Sequence, residues 1–284
     1  MKTVEIGNIK VGKNCPLLLI AGPCVIETEK MTLKIAEEIK KITEKFKISY
    51  IFKASYDKSN RSSVDSYRGP GLKEGLRILE KVKKEIEVPV LSDVHCKTEI
   101  PYVKEVLDVI QIPAFLCMQT DIVVEAAKTQ KVINLKKGQF LAPWDMKKVV
   151  SKVLSTDNDR ILLTERGSIF GYNNMIFDLR SIPIMQQIGY PVIVDVTHIV
   201  RIPGPTSKEA SGGQPQFIST YCYASIAAGA NGLFIETHPC PQEALCDASS
   251  MLKLEYLEGI LEKCIEIYKI INENSNQKGE QIWE

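Results

Sequence analysis

Eight short, mostly apolar runs rich in β-branched residues recur along the chain, and their regular spacing constrains the fold more than any other feature. Runs of this length are typical of parallel strands that are buried on both faces. The 284 residues allow roughly 35 residues per run, enough for one strand and one helix each. The runs cover residues 16–22, 49–55, 89–94, 108–114, 131–137, 160–167, 191–197 and 232–237.

Amphipathic helical patterns lie between several of these runs. In "GLKEGLRILEKVKKEI", the residues Leu72, Leu76, Leu79, Val82 and Ile86 form one apolar stripe, while lysines and glutamates occupy the opposite face. Similar patterns occur over residues 32–46, 120–129, 145–154 and 252–271. Strands that alternate with such helices favour a parallel sheet with helices packed against it.

This alternation predicts an α/β fold, and in particular a (β/α)8 TIM barrel. An open, doubly wound sheet is the alternative, but no G-x-G-x-x-G motif follows the first run. Two short runs around Gly7 and Asn8 predict a short N-terminal β-hairpin that closes the bottom of the barrel. No linker or low-complexity stretch divides the chain, so we expect a single catalytic domain over residues 1–284.

Composition argues against several classes of function. The net charge is +1, so no large basic surface is expected and neither is nucleic-acid binding. No apolar run reaches the roughly 18 residues of a membrane span, and the first residues lack the apolar stretch of a signal peptide. We therefore expect a cytoplasmic protein with no membrane partner, whose eight cysteines are mostly reduced and buried.

Polar residues follow the apolar runs at the points where the predicted strands end. All three histidines, His95, His198 and His238, lie at such points. Active sites of these barrels lie at the C-terminal ends of the strands, so side chains far apart in sequence should meet there. Several cations also occur in or just after the runs: Lys53, Lys58, Arg61, Lys136 and Arg166.

Convergence of these cations predicts an anionic ligand, because a buried positive charge is costly without a compensating anion. Phosphate and carboxylate groups are the best candidates. Pairing with Asp93, Glu165 and Asp195 is the structural alternative, but these acids are fewer than the cations.

A second set of residues combines a thiol, an imidazole and two carboxylates. Cys24 follows the first run, Glu236 lies in the last run, and Asp247 lies in the loop after it. Together with a histidine, these side chains are suited to hold Zn²⁺ or Fe²⁺. Spacing alone does not choose between His198 and His238, and a buried Cys24 without a metal ion is the alternative.

Several motifs resemble those of the 3-deoxy-D-manno-octulosonate 8-phosphate synthase family. They are "FKASYDKSNRSSVDSYRGPGL", "SDVH", "VIQIPAFL", "INLKKGQF", "ERGSIFGYNN", "DVTH", "ASGGQPQF" and "GLFIETHPCPQEALCD". The resemblance covers nearly the whole chain. It implies condensation of phosphoenolpyruvate with D-arabinose 5-phosphate and water, which yields the eight-carbon 3-deoxy-ulosonic acid phosphate and inorganic phosphate for lipopolysaccharide synthesis.

A related synthase with another acceptor is the alternative, either one that makes a seven-carbon acid (DAHP synthase-like) or a sialic acid synthase-like enzyme. The seven-carbon synthases carry a K-P-R-T-like loop, whereas this chain has "KSNRSS".

The resemblance also implies roles for individual residues. Phosphoenolpyruvate would be bound by Lys53, Lys58, Lys136, Gln139 and Arg166. Arabinose 5-phosphate would be bound by Asn60, Arg61 and Ser62, with Asp93 and His95 between the two substrates. The groups nearest to the chemistry would be His198, Asp247, Asp93 and Lys136.

The family has a metal-dependent and a metal-independent branch, and the latter carries asparagine at the position of Cys24. The presence of Cys24 therefore implies the metal-dependent branch. The implied ligands of the divalent ion (Zn, Fe, Mn or Co) are Cys24, His198, Glu236 and Asp247. The resemblance also suggests a homotetramer, and we expect the loop over residues 201–213 to close over the site.

Overall fold

The structure is a computed structural model that describes residues 1–61, 63–170, 175–202 and 212–275. Its strands are β1 (Val4–Ile6), β2 (Ile9–Val11), β3 (Leu18–Gly22), β4 (Ser49–Lys53), β5 (Val90–Asp93), β6 (Val109–Ile112), β7 (Val132–Lys136), β8 (Ile161–Glu165), β9 (Ser168–Ile169), β10 (Met175–Ile176), β11 (Val192–Asp195), β12 (Gly232–His238) and β13 (Leu252–Lys253). Its α-helices are α1 (Glu29–Phe46), α2 (Leu72–Ile86), α3 (Ile100–Val106), α4 (Thr120–Lys128), α5 (Met146–Leu154), α6 (Ser181–Gln186), α7 (Val196–Ile199), α8 (Ile218–Ala227) and α9 (Leu257–Ser275).

Eight parallel strands close into a ring. In order around the ring they are β3, β4, β5, β6, β7, β8, β11 and β12. The ring closes where β12 pairs in parallel with β3, from Gly232 opposite Leu18 to Glu236 opposite Gly22. The predicted (β/α)8 barrel is therefore confirmed, and each apolar run contains its strand or matches it to within about two residues.

Alternation along the strands separates two apolar cores. In β3, Leu18 and Ile20 face the interior of the barrel, whereas Leu19 and Ala21 pack against the surrounding helices. This period of two is what a strand buried on both faces requires. The interior core also contains Phe234 of β12, whose ring lies below the Nζ atom of Lys136 at 3.9 Å.

The hairpin formed by β1 and β2 covers the N-terminal end of the barrel. Val4, Ile6 and Val11 are buried and belong to the interior core, together with the first residues of β3, β6 and β7. The prediction of a hairpin that closes the bottom is thus confirmed. Functional groups are left to the opposite, C-terminal end of the strands.

The last predicted helix begins later than the sequence pattern indicates. Its pattern starts at residue 252, but α9 starts at Leu257. Leu252 and Lys253 instead pair with Thr237 and His238, and the Thr237 hydroxyl donates a hydrogen bond to the Leu252 carbonyl at 2.8 Å. The chain therefore returns to the end of β12 before α9 begins. Among the helices of the described residues, none is long and apolar enough to cross a bilayer.

Close packing of β3 and β4 requires glycine at the end of β3. A Cβ atom on Gly22 would lie 2.0 Å from the Lys53 carbonyl oxygen and 3.0 Å from the Phe52 ring. Because the first obstacle is backbone, it cannot move aside as a flexible side chain could. Gly22 therefore fixes the distance between the two strands at the point where Lys53 enters the mouth.

We expect Gly22→Ala to lower the free energy of unfolding by ~1–3 kcal/mol, because overpacking displaces β4. A denaturant titration followed by circular dichroism measures the midpoint. Gly259→Ala in α9 is the matched control, since a Cβ there meets nothing within 4 Å. This control should raise stability by up to ~1 kcal/mol through helix propensity. Equal midpoints for Gly22→Ala and the parent would contradict the packing argument.

Candidate active site

A buried ion pair joins two strands across the mouth of the barrel. Lys53 ends β4, and its Nζ lies 2.5 Å from Oε1 of Glu236 in β12 and 2.8 Å from the carbonyl oxygen of Cys24. Both charged side chains are almost fully buried. Burial raises the pKa of Glu236, but the positive charges of Lys53 and Lys58 outweigh it and lower that pKa overall. Glu236 is therefore held as a carboxylate.

A second buried group centres on Asp195 at the end of β11. Its Oδ2 lies 2.5 Å from Lys136 Nζ and 2.8 Å from His198 Nδ1. Its Oδ1 accepts a hydrogen bond from the backbone N–H of His198 at 3.0 Å and so caps the short helix α7. Burial raises the pKa of Asp195, but His198 and Lys136 lower it well below its ordinary value. Asp195 thus orients both neighbours as an anion.

The orientation of His198 leaves one ring nitrogen for chemistry. Nδ1 faces Asp195, and Nε2 lies 3.9 Å from Oδ2 of Asp247. Burial is the largest influence and lowers the pKa of His198, despite the opposing carboxylate of Asp195. His198 is therefore mainly neutral near pH 7, and its Nε2 can bind a metal ion or accept a proton.

Asp93 at the end of β5 forms a third group with His95. His95 Nε2 lies 3.0 Å from Asp93 Oδ2, and the Ser55 hydroxyl donates a hydrogen bond to Oδ1. Burial raises the pKa of Asp93, but Lys58 and His95 outweigh it and keep that pKa well below its ordinary value. The His95 backbone is in turn held by Glu99, whose carboxylate accepts its N–H at 2.8 Å.

These groups surround a cavity of about 230 Å³ at the C-terminal end of the barrel. Most of the residues predicted for substrate binding contribute to it. The lining comprises Lys58, Ser59, Asn60, Asp93, His95, Gln111, Pro113, Ala114, Phe115, Leu116, Lys136, Arg166 and His198. Residues from six different strand ends and loops therefore meet at one mouth, as the barrel predicts.

Three predicted substrate-binding residues of the described chain do not line this cavity. Lys53 is paired with Glu236, as described above. Gln139 lines a neighbouring cavity of about 480 Å³ with Glu165, on the outer side of the loops after β7 and β8. Arg61 lies toward Asp247, with Nη1 3.8 Å from Oδ1 of that carboxylate. Ser62 and residues 203–211 of the predicted closing loop lie outside the described residues.

Arg166 differs from the other cations of the mouth. It is only 8% exposed, yet no carboxylate lies within 4.0 Å of its guanidinium among the residues that the structure describes. Its Nη1 contacts the sulfur of Met175 at 3.7 Å, which is a weak acceptor. Burial is the main cause that lowers the pKa of Arg166. A buried guanidinium in this state is a strong binding point for an anion.

Two overlapping groups of side chains are arranged to hold a metal ion. One consists of Cys24, Cys246 and Asp247, and the other of His198, Glu236 and Asp247. The donor atoms of each group lie within 4.8 Å of one another, and Asp247 belongs to both. The two groups together offer two sulfur atoms, one imidazole and two carboxylates, and they meet at Asp247. Donors of these types fit Zn²⁺ or Fe²⁺.

The structure distinguishes His198 from His238, which spacing did not. His238 Nδ1 accepts a hydrogen bond from the Cys240 backbone N–H at 3.1 Å, and its Nε2 faces Glu27 at 3.9 Å. It belongs to neither of the two ligand groups found among the described residues. His198 is thus the imidazole that adjoins Glu236 and Asp247.

Three residues near the site were not singled out from the sequence. Cys246 adjoins Asp247, and Arg201 Nη1 lies 2.7 Å from Asp247 Oδ1. Both lie in loops without periodicity, so only their position next to other site residues could have indicated them.

Lys137 is the third residue, and it lies on the opposite face of the chain from Lys136. Its Nζ donates to the carbonyls of Leu141 and Gly167 at 3.2 and 3.1 Å, and lies 3.4 Å from Glu165 Oε1. It therefore ties together the loops that carry Gln139 and Arg166. The alternation of a strand predicts that adjacent lysines point to opposite faces, which was the available signal.

Among the described residues, the mouth of the closed barrel gathers buried lysines, an arginine with no carboxylate within 4.0 Å and side chains suited to hold a metal ion. These features define a (β/α)8 protein whose mouth is suited to an anion and a divalent ion. Residues 2–273 match the model of the DAHP synthetase I family. The chain belongs to this family.

Curated relatives align over almost their full length. A protein of Geobacter sulfurreducens is 52% identical over 270 residues, which cover 95% of this chain and 99% of that protein. A protein of Geotalea uraniireducens is 54% identical over 271 residues, with the same coverage of both chains. Both relatives are named 2-dehydro-3-deoxyphosphooctonate aldolase.

The Asp93–His95 contact generates a test by titration. Burial lowers the pKa of His95, but Asp93 outweighs it and raises that pKa above the ordinary value of about 6.5. Protonated His95 therefore contributes stability that is fully present below pH ~6.5 and is lost as pH rises through the folded pKa. In Asp93→Asn the burial stays and the anion is lost, so we expect the pKa of His95 to fall below its ordinary value.

Ring-proton NMR measures this shift, because the chain has only three histidines. His95→Gln assigns the resonance by its disappearance. Glu99→Gln is the matched control and should lower the same pKa less, since Glu99 Oε2 is 4.0 Å from His95 Nδ1. An unchanged titration of His95 in Asp93→Asn would rule out the ion pair.

Proposed function

We propose that this chain condenses phosphoenolpyruvate with D-arabinose 5-phosphate and water, and releases 3-deoxy-D-manno-octulosonate 8-phosphate and inorganic phosphate. The relatives' name describes an aldolase of a keto-deoxy eight-carbon sugar acid phosphate, which is the same class of product. The product would feed lipopolysaccharide synthesis. The observation that carries the proposal is the buried Arg166 beside Lys136 at a small polar cavity.

Phosphoenolpyruvate binds at the side of the mouth formed by Arg166, Lys136, Lys53 and Lys58 in this proposal. A guanidinium can hold a phosphate or carboxylate through two parallel hydrogen bonds. Lys136 and Lys53 are already paired with Asp195 and Glu236, so each pair carries little net charge. In this proposal the two lysines mainly orient the bound substrate. Arg166 would supply the charge that those pairs do not. Gln139 is placed further out, and we assign it a supporting role through its loop.

Arabinose 5-phosphate binds on the opposite side, toward Asn60 and Arg61, with Ser62 included by the resemblance alone. Asn60 lines the cavity, and Arg61 lies beside Asp247. Asp93 and His95 also line the cavity, and in this proposal they lie between the two substrates and hydrogen-bond the sugar hydroxyl groups and the reacting end. This arrangement would bring the aldehyde close to the enol carbon of phosphoenolpyruvate.

The reaction forms one carbon–carbon bond and breaks one phosphate ester. The enol carbon attacks the aldehyde, water adds to the carbon that bears the phosphate ester, and phosphate then leaves. Two anionic substrates repel each other, so the cations must first offset that repulsion. Fixed orientation in a small cavity would then supply much of the rate. Lys136 and Arg166 would stabilise the charge that develops during the addition.

Proton transfer falls to His198 and Asp247 in this scheme. The aldehyde oxygen gains a proton as it becomes an alcohol, and the attacking water loses one. Asp195 holds Nδ1 of His198, so Nε2 is directed toward Asp247 at 3.9 Å. A carboxylate at this position can hold and pass on a proton, and so can a neutral imidazole whose Nε2 is not bound to a metal ion.

We further propose that Cys24, His198, Glu236 and Asp247 hold a divalent ion, one of Zn²⁺, Fe²⁺, Mn²⁺ or Co²⁺. Cys24 Sγ lies 3.4 Å from Asp247 Oδ2, and each carboxylate has an oxygen beyond the one that pairs with Lys53 or Arg201. When bound, such an ion polarises the aldehyde or orients the water. We also propose that the protein is cytoplasmic and that residues 1–284 form one catalytic domain. Four copies would assemble into a homotetramer, and light scattering on the purified chain would measure the mass of that assembly.

The direct test is phosphate release from phosphoenolpyruvate. Purified protein is offered arabinose 5-phosphate, erythrose 4-phosphate or N-acetylmannosamine, each with and without chelator. We expect release with arabinose 5-phosphate, its loss in chelator and its recovery on adding a divalent ion. Cys24→Asn should retain part of its turnover in chelator. Preference for another acceptor would indicate a related synthase, and full activity without bound metal would refute metal dependence.

Substitution of the two arginines should separate the two substrates. Arg61→Ala should raise the KM for arabinose 5-phosphate about 10- to 100-fold, since a hydrogen bond to a charged group contributes ~1.5–3 kcal/mol. Arg166→Ala is its counterpart and should raise the KM for phosphoenolpyruvate by a similar factor. Steady-state kinetics with each substrate varied in turn measures both. An unchanged sugar-phosphate KM in Arg61→Ala would contradict the assignment of that side.

A further inference from the structure

Two buried thiols lie against each other beside the proposed metal centre. Cys24 follows β3, Cys246 lies in the loop after β12, and their sulfur atoms are 3.0 Å apart. Both are reduced, and each is no more than 2% exposed. They share a small cluster with Val25, Ala244 and Met251 that is separate from both barrel cores. The fold thus brings together two thiols that are 222 residues apart.

Contacts on both sides hold the two sulfur atoms in place. Arg61 Nη1 lies 2.7 Å from Cys246 Sγ, and Cys24 Sγ lies 3.4 Å from Asp247 Oδ2. The two segments are also linked, because the Leu245 backbone N–H donates to the side-chain carboxylate of Glu27 at 2.9 Å. The pair is therefore preorganised, and the sulfur atoms must move together by only about 1 Å to reach the 2.05 Å of a disulfide.

We propose that Cys24 and Cys246 form a redox pair that closes to a disulfide and thereby dismantles the metal centre. The oxidant is a peroxide. One sulfur attacks a peroxide oxygen, the O–O bond breaks, and a sulfenic acid and water result. The second sulfur then attacks the first, the S–S bond forms, and the hydroxyl group leaves as a second water. Two thiols give up two electrons and two protons in total, and a dithiol reverses the change.

The disulfide has two consequences at the site. Cys24 loses its thiolate, so the ion retains His198, Glu236 and Asp247 but loses its only proposed sulfur ligand. Cys246 also ceases to be a thiol partner for Arg61, the proposed sugar-phosphate group. The oxidant would enter from the side of Arg201, which contacts Asp247 and has a side chain that is 30% exposed.

The first test follows the cross-link alone and does not depend on the proposed function. Full-length, metal-free protein is treated with hydrogen peroxide, and free thiols and intact mass are measured before and after a dithiol. We expect loss of two thiols and of the mass of two hydrogens, both reversed by the dithiol. Proteolysis after glutamate isolates Cys246 from Cys240, because Glu243 lies between them.

Single variants identify the partners. Cys246→Ser and Cys24→Ser should each abolish the reversible cross-link, and circular dichroism checks that both are folded. Cys15→Ser is the matched control, because no glutamate separates Cys15 from Cys24 and both occur in one peptide. That variant should keep the cross-link. A parent protein that retains both thiols, or that joins a different pair of cysteines, would overturn the proposal.

The second test measures the metal ion. Zinc-loaded protein is exposed to peroxide in the presence of a chromogenic zinc chelator, and we expect one zinc ion released per cross-link formed. Cys246→Ser should release zinc several-fold more slowly. A cross-link in the parent without zinc release would overturn the metal half of the inference. Failure to load zinc at all, with the cross-link intact, would instead count against the metal centre under the proposed function.

Discussion

Burial of charge at the C-terminal end of a closed barrel is the constraint on which this site depends. The pairs Lys53–Glu236 and Lys136–Asp195 are almost fully buried at 2.5 Å, and both lysines lie near the ring of Phe234. Loss of one partner from such a pair costs roughly 3–5 kcal/mol, because the other charge stays buried without compensation. The pairs therefore fix each side chain in one position, whereas Arg166 is buried with no carboxylate within 4.0 Å among the residues that the structure describes.

Sequence periodicity predicted the barrel because the strands of the ring are buried on both faces, which leaves a continuous apolar run in each. It also placed Lys53, Asp93, Lys136 and Asp195 at strand ends, where the mouth must form. Helix α8 was not predicted from the sequence. Its apolar and small residues lie all around the helix, so they form no stripe that a periodic pattern would show. A hydrophobic pattern therefore identifies a helix or strand only where one face of the element is buried, or where a whole run of residues is buried.

The details of the site needed coordinates because they depend on loops. His198 and His238 both end an apolar run, and only the contacts of His238 with Cys240 and Glu27 separate them. Cys246 and Arg201 lie in segments without periodicity, and only the place of Cys246 next to Asp247 in the sequence gave a local signal. Family resemblance selected His198, and the geometry agrees with that choice. The individual catalytic and binding roles stay predictions.

The short pairing of Leu252 and Lys253 with the end of β12 has an evolutionary consequence. This pairing attaches both ends of the loop that carries Cys246 and Asp247 to the same strand, β12. Residues of that loop can be substituted wherever their side chains point to solvent. The number of residues in the loop cannot change in the same way, because an inserted or deleted residue would move Asp247 away from His198 and Glu236. Homologous loops should therefore vary in composition while conserving their span.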